Sequence, residues 1–136
     1  LVPDVRIEDW GVPFRERMLK CRIFVCDHPC YSTTFVESLI NDKPTILFYN
    51  PKFAANRFNE EAQPYWDKLK EADILFEDPV SASKKIGEIY DTVYDWWGEK
   101  KRRDAVRTFL SRFGETSDSW ADEWGAEIRS LLGNKR

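Results

Sequence analysis

Residues 23–49 read IFVCDHPCYSTTFVESLINDKPTILFY, and this stretch decides the fold. It begins and ends with short apolar runs, residues 23–26 and 45–49, that are β-branched or aromatic and do not alternate with polar positions. Runs of this kind are typical of strands buried on both faces, which occur in parallel sheets. Apolar residues recur at helical spacing over residues 35–40, so the stretch predicts a strand, a helix and a parallel strand.

The same alternation continues on both sides of this stretch. Residues 74–76 predict a further strand, and residues 5–7 are a candidate for another at the start of the chain. Helices are expected over Phe14 to Lys20 and from about Gln63, since the proline at 64 is tolerated in a first helical turn. We therefore predict an α/β domain with a Rossmann-like, doubly wound parallel sheet of about four strands flanked by helices.

Beyond residue 81 the pattern is helical only, with three apolar stripes at helical spacing. The stripes consist of Ile86, Ile89, Tyr90, Val93 and Trp97, then Val106, Phe109, Leu110 and Phe113, then Trp120, Trp124, Ile128 and Leu131. We expect residues 81–136 to form a helical C-terminal part of one domain that spans residues 1–136. Because the chain begins at Leu1 without a signal sequence, we expect it to be a piece of a longer, two-domain chain.

Composition limits the classes of function. Hydrophobic residues make up 42% of the chain and charged residues 33%, which excludes a disordered segment. No apolar run approaches the roughly 20 residues that a membrane-spanning helix needs. The net charge of −3 argues against nucleic acid as a partner. Three cysteines without secretory features favour reduced thiols and a cytoplasmic location.

Ligands of doubly wound sheets bind outside the carboxyl ends of the strands. This rule points to residues 27–34, 50–56 and 77–81. The first segment is the richest in polar side chains, and three consecutive hydroxyl residues lead from it into a helix. These are Ser32, Thr33 and Thr34. Because a helix start carries unpaired N–H groups and the positive end of the helix dipole, we expect phosphate binding here.

Neighbouring side chains extend this candidate site. Glu37 lies one turn into the helix, where a carboxylate would accept hydrogen bonds from ribose hydroxyls. The alternative is a capping box between Thr34 and Glu37, with Ser32 as an N-cap, in which the side chains satisfy only backbone donors. His28, the sole histidine, and Asp27 are the catalytic candidates, and a hydrogen-bonded structural histidine is the alternative.

A zinc site is an alternative interpretation of this segment, because all three cysteines and the histidine fall between positions 21 and 30. Structural zinc favours closely paired Cys-x2-Cys knuckles. The spacing here is Cys-x4-Cys-x-His-x-Cys, with Cys26 inside a predicted strand. We therefore expect neither a metal nor a cofactor, and inert thiols. A nucleophilic pair of Cys30 with His28 is a further alternative.

The strand–loop–helix segment resembles the carboxyl-terminal, donor-binding half of GT-B glycosyltransferases. The matching positions are an apolar strand, Asp27, Tyr31-Ser32-Thr33-Thr34, Phe35, Glu37, Leu39 and Asn41-x-Lys43-Pro44-x-Ile46. The resemblance covers residues 7–76. More narrowly, this part of the chain is similar to bacterial surface-carbohydrate transferases of the Kdo and sialic acid type. It implies a transferase of surface-polysaccharide biosynthesis.

The resemblance also implies roles for individual residues. Ser32, Thr33 and Thr34 would contact the phosphate of a nucleotide-sugar donor, a CMP-sugar in the narrower likeness, and Glu37 would contact its ribose. His28 with the following proline is similar to a His-Pro pair whose histidine touches the donor phosphate, although those families carry the pair well upstream. The implied partners are a glycan or lipid-linked acceptor and an N-terminal half-domain that supplies the general base.

Two other functions stay open. One is a non-catalytic α/β interaction module that acts through its tryptophans. The other is a related nucleotide-sugar epimerase or a glycerophosphotransferase. Residues 100–103 with Arg107 and Arg112 predict a basic helical face, which is either simply solvated or attracts anionic lipid or glycan at the inner face of the membrane.

Aromatic residues cluster on the helix around residue 96. Tyr94, Trp96 and Trp97 lie on adjacent faces, and we expect that they cannot all enter one core. Some of them should then cover the other half-domain or form a dimer surface.

Overall fold

The computed structural model describes residues 7, 11–53 and 58–133. Its strands are β1 (Phe24–Asp27), β2 (Thr45–Phe48) and β3 (Leu75–Phe76). Its helices are α1 (Phe14–Lys20), α2 (Thr34–Ile40), α3 (Gln63–Glu71), α4 (Pro79–Ile89), α5 (Val93–Gly98), α6 (Lys100–Phe113) and α7 (Trp120–Gly133), and a 3₁₀ turn (Tyr90–Thr92) joins α4 to α5.

The three strands form a parallel sheet in the order β1-β2-β3. Thr45 lies opposite Phe24, and Leu47 lies opposite Leu75, which fixes the register of the central strand on both sides. The predicted α/β class and parallel pairing are confirmed, as are α1 and the start of α3. About four strands were expected; the described residues hold three. Residues 5 and 6 lie outside the described part, and Ile7 is exposed and belongs to no strand.

The strands are not equally covered. Thr45, Ile46 and Leu47 of β2 are fully buried, as a central strand between helices should be. The expectation that every strand is buried on both faces is wrong for β1, where Val25 is 44% exposed. The reason is helix coverage, since α4 packs on β2 and β3, whereas β1 lies at the opposite edge of the described sheet. A hydrogen bond of 2.9 Å between the buried Ser38 and Thr45 hydroxyls fixes α2 against β2.

Helix α6 packs on α2 and α3 and closes the core above the sheet. Phe109 of α6 is its central side chain. Its ring lies 5.8 Å from that of Phe35 in α2 and 5.0 Å from that of Trp66 in α3, centroid to centroid. The Trp66 ring in turn stacks on Phe58 at 4.1 Å. These aromatic contacts hold the start of α2 beside the end of α6, where the candidate site lies.

One expectation about the C-terminal helices is confirmed and one is wrong. Tyr94, Trp96 and Trp97 do not all enter the core, since both tryptophans of α5 are buried and Tyr94 is exposed. Arg102 does not belong to the basic face, because its side chain is buried against Trp96. The third stripe, on α7, contributes no buried residue. None of the described helices has the length and apolar character needed to cross a membrane.

Candidate functional site

The loop after β1 turns the chain sharply from the sheet into α2. The His28 amide donates to the Phe48 carbonyl oxygen over 3.0 Å, which extends the sheet's hydrogen bonding by one residue. His28 then adopts a positive φ of 52°, uncommon for a residue other than glycine. Its carbonyl oxygen accepts from the Tyr31 amide over 3.0 Å. This turn brings the following hydroxyl residues to the carboxyl edge of the sheet.

The hydroxyl residues form a short hydrogen-bonded group. The Ser32 Oγ and Thr34 Oγ1 atoms are in close hydrogen-bond contact, and Ser32 Oγ also accepts from the Thr34 amide over 3.3 Å. The amides of Ser32, Thr33 and Phe35 have no acceptor among the residues that the structure describes. Several donors are therefore available to an anionic ligand at this place.

The predicted capping box is not formed. The residue before α2 is Thr33, and no side chain caps the helix. Glu37 is exposed, and its carboxylate has neither a hydrogen bond nor an ion pair within the described part of the chain. Since Glu37 does not serve the backbone, its carboxylate is available to accept hydrogen bonds from a ligand.

The two catalytic candidates are paired with each other. His28 Nδ1 lies 3.1 Å from Asp27 Oδ2, and both side chains are largely exposed. This contact orients the imidazole, but no third side chain in the described residues is bonded to its other nitrogen. That nitrogen is therefore free to donate to, or accept from, an approaching ligand.

Cys21, Cys26 and Cys30 are free thiols. Burial is the main cause that raises the pKa of Cys21, Cys26 and Cys30, so all three are protonated at neutral pH and are poor nucleophiles. Among the described residues, which include these cysteines and His28, no group of three or more His, Cys, Asp or Glu side chains is arranged to hold a metal ion.

A cleft of about 330 Å³ opens beside the loop. Ser32 and Thr33 line it together with several aromatic rings. The aromatic lining comes from Phe35, Trp66, Phe109 and Phe113. Its volume is at the lower end of the range for small-molecule sites, and the combination of an apolar wall with a few polar donors is typical of them.

The ends of β2 and β3 add a second polar group that the sequence analysis did not identify. Tyr49 follows β2, and its hydroxyl donates to Glu77 Oε1, after β3, over 3.5 Å. Lys70 Nζ of α3 lies 2.5 Å from the same oxygen. Burial, assisted by the negative charge of Glu77, raises the pKa of Tyr49 to about 12. Glu77 opens the predicted segment 77–81, whereas Tyr49 and Lys70 gave no sequence signal because tertiary packing brings them together.

Comparison with known protein families gives a match. A sequence model described as LIC12162 family transferase matches residues 1–128, most of the chain and all of the candidate site. Searches of curated proteins and of solved structures give no match.

Proposed function

The chain belongs to the LIC12162 family of transferases, and we propose that it is the nucleotide-sugar-binding half of a GT-B glycosyltransferase. Transfer needs a donor, and the observation that carries the proposal is the loop between β1 and α2. Together with the first turn of α2 it combines amides, hydroxyls and the Glu37 carboxylate at the carboxyl edge of a parallel sheet, where such folds bind ligands. Several of these groups have no partner among the described residues.

The donor's phosphate would bind at the hydroxyl residues. The amides of Ser32, Thr33 and Phe35 lack acceptors in the described part of the chain, so a phosphate oxygen would satisfy them without displacing another contact. The Thr33 side chain is exposed and makes no hydrogen bond there, so its hydroxyl adds a further donor.

Glu37 would recognise the ribose. The two neighbouring hydroxyls of a ribose can both donate hydrogen bonds to one carboxylate. The Glu37 carboxylate has no competing partner among the described residues. The nearby aromatic cleft offers apolar packing for the flat base. In the narrower form of the proposal, the donor is a CMP-sugar.

His28 would contact the donor phosphate or the departing nucleotide. Its imidazole is exposed, lies at the same edge of the sheet and is oriented by Asp27. A protonated imidazole next to a phosphate would neutralise charge that develops on the leaving group. We propose that the general base belongs to a second half-domain, and that the acceptor is a surface glycan or its lipid-linked precursor at the cytoplasmic face of the membrane.

Titration with CMP and with dCMP tests this proposal. We expect millimolar CMP to shift the backbone amide NMR signals of residues 32–37, and dCMP to bind more weakly by about fivefold because one ribose hydroxyl is lost. Glu37→Gln should reduce this preference for the ribonucleotide. Glu71→Gln, an exposed carboxylate on α3, is the matched control and should keep the preference.

Two results would contradict the proposal. The first is an unchanged spectrum at millimolar CMP and UDP, which would favour an interaction module without donor binding. The second is a Glu37→Gln variant that unfolds more easily but keeps the preference for CMP, since that would mean a structural role for Glu37.

A further inference from the structure

Helix α7 presents an apolar stripe that no described residue covers. Trp120, Trp124, Ile128 and Leu131 lie on one face of the helix and are 63%, 65%, 49% and 61% exposed. Not one residue of this 14-residue helix is buried. A contiguous apolar surface that includes two tryptophans marks an interaction surface, because such area is costly to leave in water.

The stripe has an acidic edge. Glu123 and Glu127 are four residues apart, so they lie on the same side of the helix, and both border Trp124. Glu123 accepts hydrogen bonds from the Ser117 and Ser119 hydroxyls, both at 2.6 Å, whereas Glu127 has no partner among the described residues. An occupant of this surface should therefore offer apolar area and positive charge side by side.

A groove between α2 and α6 has these two properties. It encloses about 430 Å³. Its apolar residues are Leu39, Ile40, Val106 and Leu110. Two arginines and two acidic residues also line it, but Arg103 is ion-paired with Asp42, which leaves Arg107 and Glu115 as its other charged groups. Ile40 is half exposed, and the Arg107 side chain is 78% exposed with one long contact of 3.4 Å to Asp104. No described residue covers the groove, and the weakly paired, exposed Arg107 lies beside its apolar residues.

We propose that α7 of one copy of this chain docks in the α2–α6 groove of a second copy, and that the exchange is mutual. The apolar stripe would cover Ile40 and Leu110, and Glu127 would pair with Arg107. Since each copy carries both the helix and the groove, the two contacts are related by a two-fold axis and the assembly closes as a dimer. Residues 114–119, a polar connection between α6 and α7, would let the helix reach across.

The charge of α7 favours a second copy of the chain, and not an anionic membrane, as its binding partner. The negative edge of α7 would repel anionic lipid headgroups, whereas the exposed Arg107 of the groove would attract it. This inference is independent of the proposed donor site, because neither α7 nor the groove contains a residue of the loop after β1.

Analytical ultracentrifugation of single variants tests the docking. The wild-type chain should show a concentration-dependent monomer–dimer equilibrium, and Trp124→Ala and Ile40→Asp should each be monomeric. Both positions are exposed, so neither change threatens folding. Tyr94→Ala removes an equally exposed aromatic ring outside the stripe and should leave the dimer intact.

Mixing the two monomeric variants identifies the occupant. Trp124→Ala keeps a groove and Ile40→Asp keeps a helix, so a mixture can rebuild one of the two contacts and should regain dimer. Pairing of two α7 helices requires both stripes and would regain none. A mixture that stays monomeric, or a wild-type chain that is monomeric at every concentration, overturns the proposal.

Charge exchange gives a second test. Arg107→Glu and Glu127→Arg should each weaken the dimer several-fold, and the double variant should recover most of the loss. Asp122→Arg makes the same charge change away from the stripe and is the control. Failure of the double variant to recover would overturn the pairing of α7 with the groove.

Discussion

The indole N–H of Trp97 donates a hydrogen bond of 2.8 Å to Oδ1 of Asp42, although 55 residues separate them. Arg103 contacts the same carboxylate oxygen. Asp42 stands in the turn between α2 and β2, so α5 and α6 are tied to the amino end of the central strand. The candidate site lies at the carboxyl end of the sheet. These polar contacts of α5 and α6 thus lie away from the residues proposed to bind a ligand, whereas the aromatic contacts of Phe109 lie beside them.

The Asp42 contacts predict the effect of substitution there. Asp42 has a positive φ of 54°, which aspartate and asparagine tolerate better than alanine. Asp42→Ala should therefore lower the free energy of unfolding by about 2 kcal/mol, part from lost hydrogen bonds and part from strain. Asp42→Asn keeps an acceptor and the turn, and should cost less than half as much. Urea unfolding followed by tryptophan fluorescence measures both, and equal losses would contradict this account.

Arg102 provides a test of a buried charge. Its side chain is only 5% exposed, donates to the Trp96 carbonyl oxygen over 3.0 Å and forms an ion pair of 2.7 Å with Glu99. The guanidinium also lies 4.5 Å from the Trp96 ring centroid. Arg102→Ala removes these contacts and the packing of its aliphatic chain, and should lower the free energy of unfolding by about 2 kcal/mol.

The neighbouring basic residue is the control for Arg102. Lys101 is exposed, and Lys101→Ala should change the free energy of unfolding by less than about 0.5 kcal/mol. A similar loss in the two variants would mean that net positive charge on α6, and not the buried contacts of Arg102, stabilises the helix.

The place of Arg102 explains one limit of the sequence analysis. The run KKRR at residues 100–103 predicts a solvated basic face, because charge runs usually are. Arg102, however, stands four residues before Val106 and seven before Phe109, on the same helical face as this buried stripe. The helical spacing therefore indicated that position 102 is buried, whereas the residue type indicated that it is exposed. Arginine is buried only when partners such as Glu99 and the Trp96 carbonyl are in reach.

Other features depended more completely on tertiary structure. The strands and α1 could be predicted because apolar runs and periodicity are local properties. The exposure of Val25 could not, because it depends on which strands the helices cover. The contact of Tyr49 with Glu77 joins the ends of two strands and leaves no pattern in sequence. The absence of the Thr34–Glu37 capping box was likewise unpredictable, because the motif fits and only the loop geometry decides.

Helix α4 offers a prediction about acid pH. Asp78 accepts from the Ser81 amide over 2.8 Å and from the Ser81 hydroxyl over 2.7 Å. These hydrogen bonds hold the pKa of Asp78 below its usual range. A carboxyl with a lowered folded pKa contributes stability that is present above its unfolded pKa and is lost as pH falls through the folded value, hence below about pH 4.

Variants of the cap separate this contribution from general acid unfolding. Asp78→Asn should lower the urea midpoint at neutral pH and should flatten its decline below about pH 4, because the titrating group is gone. Ser81→Ala removes one of the two side-chain contacts of the cap and should shift the decline toward higher pH. Parallel curves for the wild type and Asp78→Asn would contradict the assignment.

Tyr49 predicts the opposite behaviour at alkaline pH. Burial raises its pKa to about 12, and the charge of Glu77 acts in the same direction. The folded chain therefore holds this phenol proton at pH values where an ordinary tyrosine, with a pKa near 10, has lost it. The resulting stability is present below about pH 10 and is lost as pH rises through about 12.

Absorbance titration of the phenolates checks this sign. Tyr49→Phe should remove the last titrating step, whereas Tyr94→Phe, an exposed ring, should leave that step in place. Glu77→Gln should lower the pKa of Tyr49 without returning it to about 10, because burial is the larger cause and remains. If the last step were unchanged in Glu77→Gln, the carboxylate would not sense the hydroxyl, and the polar group at the ends of β2 and β3 would not act as one unit.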